Sequence, residues 1–174
     1  MHFRRHKLDI ASFGFTVDGL HLEDVLQHPY TYEQNFVKAV NGAGGADLLT
    51  SFSDALEISE TQPIKIEGYE RHSYMMYHGC QAIAKHFDHH GPVTCHLFKS
   101  PADGKSFPEH TDPDRVIIIM LEGEKEFRNR HGDFAWLKPG DVMEIPPNYS
   151  HQAFNLTDNL MLSIGLESFN VEKH

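Results

Sequence analysis

Residues 116–151 of the chain read VIIIMLEGEKEFRNRHGDFAWLKPGDVMEIPPNYSH. Four short runs in this stretch, 116–121, 125–130, 134–137 and 142–145, are apolar or alternate between polar and apolar residues, which is typical of strands. The runs are separated by turn residues, among them His131-Gly-Asp133 and Lys138-Pro-Gly-Asp141. Many short strands at this regular spacing favour a small sandwich or barrel.

Two further strand-like runs, 93–98 and 160–166, flank this stretch, whereas the first ninety residues are mainly helical and irregular in pattern. Residues 62–67 alternate and predict one short strand there. Apolar side chains keep helical spacing in four sets: Leu22, Val25 and Leu26; Phe36, Val37 and Val40; Leu48, Leu49, Phe52, Ala55 and Leu56; and Met76, Cys80, Ile83 and Phe87. Because no linker or internal repeat is visible, we predict a single domain, 1–174, in which a helical region, 1–90, packs outside a β core, 91–170.

The composition excludes several classes of protein. A chain of 174 residues has the size of one domain, and its 15 Lys+Arg against 25 Asp+Glu give a net charge of −10. Such an acidic chain is a poor ligand for nucleic acid and would sooner attract cations or a basic partner. No apolar run approaches the ~20 residues that span a bilayer, and no apolar segment follows the basic N-terminus as in a secretory signal. With only Cys80 and Cys95, both expected to be reduced, we predict a cytoplasmic protein.

The 14 histidines direct attention to metal binding. In His110-Thr111-Asp112 an imidazole and a carboxylate are two positions apart, so in an extended chain they project to the same side. His151 follows the proline-stiffened turn 145–150, which could bring it back to the same barrel. Two histidines and one carboxylate on one face of a metal leave open positions and suit non-haem Fe(II) chemistry.

A second copy of the same tripeptide, His86-Phe87-Asp88, lies at the end of a predicted helix. Positions i and i+2 diverge on a helix. We therefore expect this copy to lie on a solvated surface without a metal.

The motifs around His110 occur in a recognisable order. Glu109-His-Thr-Asp-Pro-Asp-Arg115 precedes the apolar run and a glycine turn with Lys125, and Pro139-Gly-Asp141 and Ile145-Pro-Pro147 precede His151. This order, over residues 94–169, resembles the JmjC-type Fe(II)/2-oxoglutarate oxygenases, in the branch of the ribosomal-protein hydroxylases. The resemblance implies a mainly β fold, a double-stranded β-helix (cupin or jelly-roll) barrel with the N-terminal helices packed outside.

The resemblance also implies roles for individual residues. His110, Asp112 and His151 would be the catalytic Fe(II) ligands. Lys125 stands where the family places the basic residue that pairs with the distal carboxylate of 2-oxoglutarate. Ser163 stands where a hydroxyl helps to bind that co-substrate, and His96 stands near it, where relatives often carry asparagine.

Each co-substrate residue also has a structural interpretation. A lone lysine such as Lys125 is usually solvated, and Ser163 could be a satisfied strand hydroxyl. Cys95 and His96 occupy opposite faces of one strand, so at most one of them points into the barrel. An interior His96 could equally be a satisfied core histidine.

The implied activity is hydroxylation of a substrate side chain, with succinate and CO₂ as co-products. We expect a polypeptide substrate, which could be basic, with a small molecule such as a free amino acid as the second option. No nucleic acid or membrane partner is expected, and the sequence does not indicate an oligomeric state. Two other functions remain open: a metal-dependent cupin dioxygenase or isomerase that does not use 2-oxoglutarate, and a non-catalytic small-molecule-binding cupin. The ligand set also accepts Mn, Co or Ni.

Overall fold

The structure is a computed structural model that describes residues 1–168. Its strands are β1 (Arg4–His6), β2 (Val37–Val40), β3 (Ala46–Leu48), β4 (Ile64–Ile66), β5 (Val93–Ser100), β6 (Arg115–Glu122), β7 (Lys125–Arg128), β8 (Phe134–Leu137), β9 (Val142–Ile145), β10 (Gln152–Asn155) and β11 (Asn159–Leu166). Its α-helices are α1 (Leu22–Gln27), α2 (Pro29–Glu33), α3 (Phe52–Ser59) and α4 (Tyr74–His86), and 3-10 helices occupy Ile10–Phe13, Asp18–Leu20 and Tyr69–Arg71. The last two residues of the predicted β core, 169 and 170, lie outside the described residues.

The strands form two antiparallel sheets. The larger sheet has eight strands in the order β1-β9-β6-β11-β5-β4-β2-β3, and the smaller has three in the order β10-β7-β8. Side chains from both sheets, such as Ile118 and Met143 of the larger and Phe127 and Leu137 of the smaller, pack in one apolar cluster. The two sheets therefore close on each other as a barrel.

The uninterrupted apolar run of β6 is explained by burial on both of its faces. Ile117 and Ile119 belong to the cluster that includes α1, α3 and α4, whereas Ile118 and Met120 belong to the cluster inside the barrel. Successive side chains of a strand alternate between faces, so residues 116–121, which are covered on both sides, are all apolar, while the charged Arg115 and Glu122 lie at the ends of β6.

The N-terminal region supplies both a helical cover and part of the sheet. Helices α1 and α4 lie where apolar spacing predicted them, whereas α3 begins only at Phe52, so the helical assignment of Leu48 and Leu49 was wrong and Leu48 belongs to β3. Ser51 and Ser73 begin α3 and α4 by accepting hydrogen bonds from backbone N–H groups. The helical assignment of Phe36, Val37 and Val40 was wrong. Residues Val37–Val40 instead pair with β3 and β4, because the two valines at the ends of this tetrapeptide favour a strand and both neighbouring strands offer backbone partners.

The predicted mainly β fold, a double-stranded β-helix with helices outside it, is confirmed. The description of residues 1–90 as helical was incomplete, since β1 to β4 extend the large sheet. Within residues 1–168 no helix is both long and apolar enough to cross a bilayer. The assignment of the whole chain to one domain stays a prediction, as does the cytoplasmic location.

Gly123 joins β6 to β7 with a φ of +69°, and a Cβ atom there would overlap the carbonyl oxygen of Asp158. We expect Gly123→Ala to lower the free energy of unfolding by about 3 kcal/mol or more, since backbone strain adds to a clash with the main chain. The matched control is Gly140→Ala, with a φ of +91° but open space around it, which should cost only about 1–2 kcal/mol. Urea unfolding measures both values, and equal losses would contradict the clash.

Candidate active site

His110, Asp112 and His151 meet at one end of the barrel, although 38 intervening residues separate Asp112 from His151. The backbones of His110 and His151 are joined by a pair of hydrogen bonds, N to O, of 3.1 and 2.9 Å. Nε2 of His151 lies 3.2 Å from Oδ2 of Asp112, and Nε2 of His110 lies 3.8 Å from the same oxygen. The three ligand atoms lie within 4.8 Å of one another, which is close enough for a single metal ion.

Backbone carbonyls set the protonation of both rings. Nδ1 of His110 lies 2.8 Å from the Pro108 carbonyl oxygen, and Nδ1 of His151 lies 3.0 Å from that of Tyr149. A carbonyl oxygen only accepts hydrogen bonds, so each Nδ1 carries a proton and each ring turns its Nε2 toward Asp112. Two Nε2 atoms and a carboxylate oxygen thus converge, and this set of ligand atoms fits a divalent cation.

The ligand atoms are buried on one side and open on the other. The side chain of His151 is 8% exposed, whereas those of His110 and Asp112 are each 40% exposed. Contact with the His151 imidazole is the main cause that keeps the pKa of Asp112 below its usual value. The exposed side of His110 and Asp112 leaves room for further metal ligands.

The turn before β10 is held in place by the N-terminal strand region. The hydroxyl of Tyr149 donates to Oδ2 of Asp133 at 2.8 Å, and the backbone N–H of Phe3 donates to the same oxygen at 2.6 Å. The N–H of Asn148 donates to the Asp112 carbonyl at 2.7 Å. These bonds fix the segment that carries His151 against the one that carries Asp112.

The three side chains line an open pocket inside the barrel, with a cavity volume of about 220 Å³. All six residues singled out from the sequence line this pocket. The lining consists of Lys65, His96, Phe98, Ser106, Phe107, His110, Asp112, Val116, Ile118, Lys125, Phe127, His151, Ala153, Met161 and Ser163.

Lys125 is the deepest charged group of the pocket. It is 1% exposed, and its ammonium group contacts the Met161 sulfur at 3.6 Å and lies 5.9 Å from the centre of the Phe98 ring. No carboxylate among residues 1–168 forms an ion pair with it, and burial lowers its pKa to about 7. A buried ammonium without an anion is unfavourable, so the geometry fits an anionic ligand here.

His96 and Ser163 are direct neighbours across β5 and β11, and both face the pocket. Cys95 points the other way, into the cluster under the helices, so His96 is the member of the pair that faces the barrel. Its Nδ1 is buried without a hydrogen bond to any described residue, and burial is the main cause that lowers its pKa to about 4. His96 is therefore neutral, with one ring nitrogen left for a ligand.

Sequence reasoning did not assign the other lining residues to the site, among them Lys65, Phe98 and Phe107. Ile64 and Ile66 are fully buried on one face of β4, so Lys65 must point to the opposite face. The alternation of this tripeptide was visible in the sequence. The sequence did not show which face of the sheet lines the pocket.

The second H-x-D copy has no metal-ligand geometry. His86 ends α4, and Asp88 has a φ of +52° and pairs only with the exposed His90. Among the described residues, His110, Asp112 and His151 form the only group of three or more such side chains close enough to share an ion.

Part of the barrel is similar to a known protein family. Residues 96–165 match the family model described as "Cupin domain". The match covers 70 of the 174 residues. The segment that is similar to this family, called the cupin segment below, extends from the β5 residue His96 to Gly165 of β11. It contains five of the six predicted site residues between its end points, with His96 as its first residue. No curated protein sequence matches the chain.

Solved structures extend the likeness beyond the cupin segment. The ribosomal oxygenase YcfD of Escherichia coli aligns with a TM-score of 0.65 and 16% identity, over 98% of this chain and 49% of YcfD. YcfD in complex with cobalt and 2-oxoglutarate aligns with a TM-score of 0.61 and 16% identity, over 91% of this chain and 45% of that one. YcfD in complex with cobalt and succinic acid aligns with a TM-score of 0.63 and 17% identity, over 98% of this chain and 49% of that one. The chain thus spans about half the length of these structures, and the predicted likeness to ribosomal oxygenases is confirmed for the fold.

Proposed function

We propose that this chain is an Fe(II)- and 2-oxoglutarate-dependent oxygenase that hydroxylates a substrate side chain, with succinate and CO₂ as co-products. The observation that carries the proposal is the buried, unpaired ammonium of Lys125 in the same pocket as three converging metal-ligand atoms. A cupin that only holds a metal does not need such a cation. Support also comes from YcfD, whose fold is similar and which has been solved with cobalt and 2-oxoglutarate.

His110, Asp112 and His151 would hold the iron through two Nε2 atoms and one carboxylate oxygen. When bound, iron and 2-oxoglutarate supply the oxidising chemistry. The carbonyls of Pro108 and Tyr149 keep both imidazoles oriented with their lone pairs toward the metal, as partners of metal-binding histidines commonly do.

Lys125 would hold the distal carboxylate of 2-oxoglutarate through a charge-assisted hydrogen bond, which is stronger in a dry site than in water. His96 and Ser163 would add polar contacts beside it, His96 through its unpaired Nδ1. Phe127, Ile118 and Met161 line the same space and exclude water from the ion pair.

The substrate is proposed to be a polypeptide side chain. YcfD is a ribosomal oxygenase, and a net charge of −10 would steer a basic partner toward this surface. A free small molecule is the second candidate, and the open pocket accommodates either one.

A cupin enzyme that binds a metal but not 2-oxoglutarate is the alternative function. The ligand set is open to solvent on one side, which supports this alternative as well as the oxygenase proposal, because open coordination positions on a metal serve many reactions. The buried Lys125 supports the oxygenase proposal over this alternative, since the alternative gives the lysine no anion to bind.

The substrate class is tested with the iron- and 2-oxoglutarate-loaded protein in a cell extract, followed by mass spectrometry of peptides and metabolites. We expect a peptide that gains the mass of one oxygen atom, absent with Asp112→Ala protein. A gain confined to metabolites would contradict the polypeptide proposal. A gain in neither fraction would count against hydroxylation itself.

A further inference from the structure

Lys65 is a second cation of the pocket, and the proposed chemistry does not use it. It lies at the centre of β4, opposite Phe98 of β5, with its side chain 17% exposed. It lines the same pocket as the metal-ligand side chains. Its ammonium lies 5.8 Å from the centre of the Phe107 ring, and that centre lies 5.9 Å from the centre of the His110 ring. Lys65 is therefore separated from the metal-ligand face by the breadth of one aromatic ring.

The charge of Lys65 is only partly compensated. The nearest carboxylate is that of Glu67, 3.8 Å away, which is beyond hydrogen-bond distance. The same Glu67 oxygen forms a much shorter ion pair with Lys38 of β2. Two lysines thus share one carboxylate, and the cluster keeps one net positive charge at the rim of the pocket.

The two pocket lysines occupy separate positions. Phe98 lies 5.9 Å from the Lys125 ammonium and is the cross-strand partner of Lys65, and its ring meets Phe107 edge to face at 6.4 Å. The rings of Phe98 and Phe107 thus lie between the buried Lys125 ammonium and the more exposed Lys65 ammonium. A single anion at Lys125 therefore leaves Lys65 without its own partner.

The pocket offers no carboxylate to a basic substrate. Asp112 is the only acidic residue of the described lining, and a bound metal would occupy it. A guanidinium or ammonium group entering the outer half would face Lys65 with no anion to offset the repulsion.

We propose that the outer half of the pocket binds a substrate through a carboxylate group paired with Lys65, while the aliphatic part of the substrate packs on Phe107 beside the metal. This inference rests on the proposed oxygenase function. The carboxylate could belong to a free amino acid or to an Asp or Glu side chain of a polypeptide, and the two sources share this recognition.

The test uses the full chain loaded with Fe(II) and 2-oxoglutarate under nitrogen and titrated by calorimetry. One set of probes is free L-amino acids and their methyl esters, and the other is end-blocked peptides with a single Asp, Glu, Asn, Gln or Arg. The variants are Lys65→Gln, Lys65→Arg and the matched control Lys38→Gln, which removes the other lysine bound to Glu67.

We expect at least one carboxylate probe to bind wild-type protein and its ester or amide counterpart to bind about tenfold to a hundredfold more weakly. Lys65→Gln should cause a similar loss, whereas Lys65→Arg and Lys38→Gln should stay within about threefold of wild type. Binding by free amino acids or by blocked peptides identifies the source of the carboxylate.

Three results would overturn the inference: no carboxylate probe binds, ester and acid bind alike, or Lys65→Gln binds as well as wild type. Failure of the oxygenase function has a different signature. In that case wild-type protein forms no succinate with any probe in air, while binding of the carboxylate probe still depends on Lys65.

Discussion

Asp112→Ala is expected to weaken metal binding by more than about a hundredfold and to abolish turnover. The variant removes the one anionic ligand of the group, and even changes in the groups behind a ligand cost about 10–100-fold in affinity. The fold should persist, because the side chain is 40% exposed and belongs to a loop. Anaerobic calorimetric titration of the metal-free protein with Fe(II) measures the loss.

The sequence itself supplies a matched control for this prediction. His86→Ala alters the second H-x-D copy. Within residues 1–168 neither His86 nor Asp88 belongs to a group of three ligand side chains close enough to bind one ion, so this variant should leave Fe(II) affinity unchanged. Undiminished affinity in Asp112→Ala, or an equal loss in His86→Ala, would place the metal elsewhere.

Lys125→Ala is expected to raise the 2-oxoglutarate concentration required for turnover by about one to two orders of magnitude. A charge-assisted hydrogen bond contributes about 1.5–3 kcal/mol, and ~1.4 kcal/mol corresponds to a factor of ten. Fe(II) affinity should change little, because Lys125 is not among the grouped ligands. Normal 2-oxoglutarate dependence in this variant would favour the cupin enzyme without that co-substrate.

Lys125 also predicts a pH dependence. Its pKa is lowered to about 7 by burial, so above pH 7 the free pocket holds a neutral amine that must take up a proton to bind a carboxylate. The affinity for 2-oxoglutarate should therefore be flat below pH 7 and fall by up to about tenfold per pH unit above it. Lys125→Arg keeps its charge and should remove this dependence, and an unchanged profile in that variant would assign it to another group.

The same shift affects stability, with a defined sign. The unfolded chain holds the lysine proton up to the usual value of 10.5, whereas the folded chain releases it near 7. Lys125 therefore destabilises the fold progressively as the pH falls from 10.5 to 7. Lys125→Met should be more stable than wild type at pH 7, by a few kcal/mol at ~1.4 kcal/mol per unit, and this difference should shrink toward pH 10. A destabilised Lys125→Met would indicate that the lysine serves the fold.

The sequence was informative where local pattern and tertiary environment agree. The strands from β5 to β9 and β11 carry alternating or fully apolar runs between turn residues, and each formed. Lys125 was assigned to the pocket by the resemblance to the oxygenase family, and its side chain lines the pocket. The extended spacing of His110 and Asp112 likewise placed both side chains in one pocket.

The remaining features depend on partners that are distant in sequence. Val37–Val40 forms a strand because β4 and β3 offer it backbone partners, which no local spacing reveals. Strand β10 was missed because its four residues alternate weakly, and its ladder depends on the distant strand β7. Lys65 escaped notice because its role depends on which face of the large sheet meets the small one.

The most direct test of the central claim is succinate formation from 2-oxoglutarate by purified wild-type protein with Fe(II) in air, followed by NMR. We predict succinate that requires both iron and oxygen, that disappears in Asp112→Ala, and that demands far more 2-oxoglutarate in Lys125→Ala. Metal binding at His110, Asp112 and His151 without any succinate, at every 2-oxoglutarate concentration and with cell extract present, would contradict the oxygenase function.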